Sequence, residues 1–162
     1  MKKFFLIITI VLCYFYISIA QTMTPTSSVK TPNGSTVPDT RTHSGWDYNY
    51  NFLQLAVIDV DLALNFGAML VGEPTWTYNC HGFAWHVSEG GSKAWIGWNT
   101  NTAHNIYFSN LDLSYVECNP NEATKVDYHP SGNHSAVLLS TIWYCSKWGD
   151  SPFGRTCSEF CS

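Results

Sequence analysis

Residues 78–85, Tyr78-Asn79-Cys80-His81-Gly82-Phe83-Ala84-Trp85, set a cysteine at the head of a short apolar run. From Cys80 to about Ser88 this run reads as a helix closed by Gly90-Gly91, which puts the thiol in its first turn. Some fifty residues on, Gly132-Asn133-His134-Ser135-Ala136-Val137-Leu138-Leu139 opens a strand-like stretch with a histidine. Around it, Val126 to His129, Ser135 to Leu139 and Ile142 to Ser146 are short β-rich runs. Pro130-Ser131-Gly132 and Ser140-Thr141 separate them, a pattern that predicts an antiparallel meander. Helices first and strands after give an α+β fold, with the helices packed on an antiparallel sheet.

Upstream, residues 50–70 also read as a helix, because Gln54, Asp61 and Asn65 fall on one stripe at 3.6 residues per turn. Phe52, Leu55, Ile58, Leu62, Phe66 and Met69 make most other positions apolar, so the helix is expected to be largely buried. Gly72 and Pro74 are its expected end, and Val57-Ile58-Val60 leaves a strand as the alternative. Residues 21–45, rich in Thr, Ser, Pro and Gly, offer too little apolar surface to offset ordering entropy. They are read as a flexible leader, with His43 solvated.

Residues 1–20 carry the pattern of an export signal: Lys2 and Lys3, an apolar run from Phe4 to Tyr16, then Ser18-Ile19-Ala20. Cleavage is expected after Ala20, and the apolar run is short for a membrane span. Cys13 lacks the small residues that precede a lipoprotein cysteine. The expectation is a secreted or periplasmic product without stable membrane insertion, its single domain covering residues 46–162. The 142 residues beyond Ala20 are enough for one sizeable core. Six basic residues against twelve acidic ones give them a formal charge of −6, and no basic cluster marks a nucleic-acid or anionic-membrane surface. Five cysteines lie beyond Ala20, an odd count that leaves one thiol unpaired where disulfides form. With Cys80 as that thiol, Cys118, Cys145, Cys157 and Cys161 allow three pairings. The favoured arrangement, which two of these pairings satisfy, has Cys157 and Cys161 reaching back separately to Cys118 and Cys145.

The chemistry follows from the two runs. A free thiol has a pKa of about 8.5 and needs a base to become a nucleophile near neutrality. Unpaired N–H groups at a helix start favour the thiolate, and can also hold the oxyanion of a tetrahedral intermediate. A nearby histidine accepts the thiol proton and returns it to a departing amine. Gly82 permits close approach to the backbone. Cys80 and His134 are therefore the candidate pair for acyl transfer. Asn79, His81, Trp85 and Trp148 are the candidate substrate contacts.

The runs Asn-Cys-His-Gly-Phe-Ala-Trp, Asn-His-Ser-Ala-Val and Ser146-Lys147-Trp148-Gly149 resemble those of bacterial papain-like cysteine hydrolases, the NlpC and CHAP groups. The resemblance spans roughly residues 72–150. It implies a cysteine that starts a helix packed on an antiparallel sheet, a histidine on the first core strand, and cleavage of amide bonds in peptidoglycan peptides. By that likeness Cys80 is the nucleophile, His134 the base, and Val126-Asp127-Tyr128 the strand just before the histidine strand. NlpC members usually carry Asp-Cys-Ser-Gly where this chain has Asn-Cys-His-Gly. They also use a third polar residue on the strand after the histidine to orient the imidazole. Ser146 and Asp150 are the candidates for that role, and Lys147 is disfavoured because its charge opposes an imidazolium. No metal or organic cofactor is implied, and an immunity protein as partner stays open.

Two further readings compete. Trp95, Trp98, Trp143 and Trp148 could form a platform for glycans in a non-catalytic wall-binding module. A zinc site could draw on Cys80, His81, His86 and His134, but their spacings fit no known ligand pattern. Of the other histidines, His86 is expected on the helix flank, and His104 and His129 in solvated loops.

Overall fold

The structure, a computed structural model, describes residues 22–45, 47, 49–72, 74–128, 134–140, 143–148 and 158–161. The expected export signal, His129 and Asp150 lie outside the described residues, as does Cys157. Strands β1 (Thr22–Thr26) and β2 (Thr40–Ser44) precede helix α1 (Phe52–Phe66) and strand β3 (Met69–Gly72). Helix α2 (Cys80–Trp85) follows, then a 3₁₀ turn over Val87–Glu89, β4 (Trp95–Ile96) and a second 3₁₀ turn over Ala103–Phe108. The chain finishes with β5 (Lys125–Asp127), β6 (Ser135–Ser140), β7 (Trp143–Trp148) and β8 (Ser158–Cys161). The class is α+β. One sheet has the order β1-β2-β4, the other β3-β8-β7-β6-β5, and every pairing is antiparallel.

The expected leader is corrected: residues 22–44 are built into the fold. Their Thr residues suit a pleated ladder, and β1 pairs with β2 from Thr22 opposite Ser44 to Thr26 opposite Thr40. Between these strands Val29 and Val37 enter the main core with Ala84, Trp85, Ala94, Ile96, Ala103 and Tyr107. His43 is not solvated as expected; its Nε2 is buried and lacks a hydrogen-bond partner among the described residues.

Helix α1 is shorter and far more exposed than expected. Asn51 and Gln54 close a capping box at its start, and Gly67, at φ 62°, ends it in the left-handed conformation before Gly72 or Pro74 is reached. Leu62 is buried and Ile58 partly so, against Ala68 and Leu70, whereas Phe52, Leu53, Val57, Val60 and Leu64 face solvent. Among the described residues no helix is long and apolar enough to cross a membrane.

The pairing expected for the C-terminal cysteines is corrected at Cys118, whose thiol is exposed and unbridged. Backbone register sets Cys145 opposite Cys161.

Candidate active site

Helix α2 starts where it does because Asn79 caps it. The Asn79 Oδ1 accepts the Gly82 N–H at 2.9 Å and the Ile96 N–H at 3.1 Å, while Nδ2 donates to the Ile96 carbonyl at 2.8 Å. The carboxamide thus acts as a further peptide unit on the free edge of β4, and it is buried. Asn79 is a structural clamp and not the substrate contact expected from sequence. Gly82 lets the helix meet that edge: a Cβ there would fall 1.9 Å from the Ala94 carbonyl oxygen.

The segment before the helix is tied down as well. Asp47 accepts the Thr75 hydroxyl and the Trp76 N–H, and Trp95 Nε1 donates to the Trp76 carbonyl at 2.6 Å. Cys80 therefore leaves a fixed loop on a fixed bearing. It stays partly exposed, with a free thiol. Burial pushes the thiol pKa up, and backbone N–H groups of Ser135 and His81, together with the Lys147 charge, pull against that rise. With only six residues in α2, these individual N–H groups count for more than a helix dipole.

Ser135, whose backbone faces the sulfur, directly follows His134. The Ser146 Oγ lies 2.5 Å from His134 Nε2 and donates to the Ser135 carbonyl at 2.9 Å. A hydroxyl that gives its proton to a carbonyl must receive from the imidazole, so Nε2 carries the hydrogen and Nδ1 is the basic nitrogen. Ser146, of the two orienter candidates, is thus placed on His134. Burial lowers the His134 pKa to about 4, against the Asp127 charge, which raises it. Burial thus disfavours the charged form of each group, the thiolate of Cys80 and the imidazolium of His134.

The other expected contacts turn inward. Trp85 is buried, donates Nε1–H to Ser135 Oγ at 2.8 Å, and packs against Tyr107, Phe108 and Tyr115. Its indole also lines a cavity of about 710 Å³ shared with Phe108, Tyr115, Glu117, Cys118 and Asp127. His81 is buried, its Nδ1 2.8 Å from the same Ser135 Oγ. Of Trp148 the structure describes only the backbone, on β7.

A polar cluster that the sequence reading missed lies beneath. His104, expected in solvent, is buried and stacks on His81 with ring centres 4.0 Å apart and planes 9° apart. Its Nε2 is 3.2 Å from Asp127 Oδ1, and Ser135 Oγ donates to that oxygen at 3.3 Å. His81, His104 and Asp127 bring ligand-capable atoms within 4.8 Å of one another. An imidazole binds a metal with a lone pair in its ring plane, however, and two nearly parallel, stacked rings cannot both aim at one ion. As arranged, the stacked rings do not form a coordination sphere, and both ring nitrogens of His104 lack a hydrogen bond among the described residues, Asp127 standing at ion-pair distance only. Alternation in the β5 run could have flagged Asp127; His104, in a polar loop, gave no signal. The zinc reading gains nothing from His86 either, whose ring packs on Gly91.

Among the described residues, the Trp side chains of the expected glycan platform fall into separate settings. Trp95 is buried on β4, Trp98 is T-shaped against it, and Trp143 stands on β7 in the other sheet. No protein-family model matches the chain, and neither does any curated protein or solved structure.

Proposed function

We propose that this chain is an exported, papain-like cysteine peptidase or amidase acting on peptide amide bonds, with peptidoglycan peptides as the substrate class. The observation that carries the reading is the relay Ser135 carbonyl–Ser146–His134, which leaves Nδ1 basic beside a strand whose next N–H faces the Cys80 sulfur. Cys80 Sγ bonds to the amide carbonyl carbon as its proton passes to His134 Nδ1, and backbone N–H at Cys80 receives the oxyanion. Collapse breaks the C–N bond, the amine leaves with the His134 proton, and water then hydrolyses the thioester with His134 again as base. Ser135, whose backbone faces the sulfur, is hydrogen-bonded to Trp85 and Asp127, two walls of the cavity. Peptidoglycan itself rests on the likeness of the Cys80 and His134 runs to the NlpC and CHAP groups and on the export-type N-terminus.

Cys80→Ala should abolish release of amines from purified wall sacculi while the circular dichroism spectrum stays native. Ser146→Ala, which frees the imidazole to swing, should lower kcat by about 10²-fold with KM little changed. Undiminished hydrolysis by Cys80→Ala would overturn the proposal.

A further inference from the structure

Lys147 is wholly buried, although an interior ammonium costs several kcal/mol unless its surroundings compensate. Its place follows from register. Asp127 pairs with Ser135, and the β6–β7 ladder that pairs Val137 with Cys145 brings Lys147 level with Ser135 two residues further on. Residues level with each other on neighbouring antiparallel strands project to the same face. Ser135 projects onto α2, where it meets His81 and Trp85, so Lys147 projects under that helix too. There its Nζ donates to the Thr75 carbonyl at 2.8 Å and lies 5.0 Å from the centre of the Tyr78 ring. Tyr78 in turn stacks on Phe83 of α2. Both Thr75 and Tyr78 belong to the segment that delivers Cys80.

We propose that Lys147 is a positioning residue of the Cys80 site, tying the 75–79 segment in place and supplying the positive charge that supports the thiolate. The same ammonium that disfavours an imidazolium favours an anionic sulfur, and its field acts on Cys80 against the burial that raises the thiol. The titratable groups around this row are Cys80 and His81 on α2, Tyr78 before it, His104 stacked on His81, Asp127 on β5 and His134 ahead of β6; on β8 the backbone register sets position 159, a glutamate, opposite Lys147. Asp127 stands on the far side of Ser135, where its charge acts on His134.

The inference draws on the proposed nucleophile for its catalytic meaning, but its test needs no substrate. The rate of Cys80 alkylation by iodoacetamide, followed on the Cys80 peptide by mass spectrometry across pH, reports thiolate formation. Lys147→Met should displace the profile upward, making alkylation about tenfold slower at a fixed pH below the midpoint. Lys147→Arg should stay within about threefold of the parent. A folded Lys147→Met with an unshifted profile would refute the proposal. Should that variant not fold, the parent protein carries the test: the Lys147 ¹⁵Nζ resonance should step at the Cys80 midpoint, and the step should vanish once Cys80 is alkylated. An Nζ resonance indifferent to Cys80 overturns the proposal. Sacculus hydrolysis without such coupling removes Lys147 alone, whereas coupling without hydrolysis removes the peptidase reading alone.

Discussion

His134 sits in a place that keeps it neutral. Burial holds its pKa near 4, below the ordinary 6.5, and Asp127 recovers only part of the difference. Protons therefore bind the unfolded chain more readily than the folded one between those two values. Stability is full above about pH 6.5 and falls as the pH drops towards 4, with a total loss of about 3 kcal/mol from this residue. His134→Asn should flatten that slope when guanidinium unfolding is compared at pH 7 and pH 4. A variant as acid-sensitive as the parent would show that other groups govern the loss. The setting of Cys80 at a helix start and the approach of Ser146 to His134 were legible in the sequence, because a capped helix and two neighbouring strands are local features. The row Asp127, Ser135, Lys147 was not, because it exists only once three strands take a common register. Lys147 in particular carries no local signal of the contacts it makes with Thr75 and Tyr78.

Among the elements, α1 separates apolar character from burial. Leu53, Val57, Val60 and Leu64 recur along one stripe and are exposed, whereas Leu62 is buried against Ala68. Leu62→Ala should cost about 2–4 kcal/mol, and Leu64→Ala should stay within about 0.5 kcal/mol, both read from denaturant midpoints. Equal costs would mean that the stripe is covered in solution. Periodicity located the helix but could not say which face the rest of the chain would cover. The β1–β2 hairpin shows the opposite failure. Its Thr-rich strands carry little apolar area, so composition read them as loose, yet hydrogen-bonded pairing and two inward valines are enough to hold them. The strands β5, β6 and β7 were legible because Pro, Ser and Gly bracket each β-rich run.

For the molecule as a whole, α2 joins the two sheets. Its first turn hangs on β4 through Asn79, and its last residue, Trp85, reaches β6 through Ser135. Gly82→Ala should disturb both connections, since the new methyl would drive into the Ala94 carbonyl. It should lower the thermal midpoint and slow Cys80 alkylation together. A variant with parental stability and reactivity would show that the seat is slack. Thr26 faces Thr40, Thr40 faces Ile96, and Ile96 is gripped by Asn79 next to Cys80. Four residues, spread over more than fifty positions of chain, thus stand in single file behind the sulfur. A fluorophore or affinity tag fused just ahead of Thr22 would tug on that file, so thiol reactivity compared between differently tagged preparations would report the tag as much as the protein.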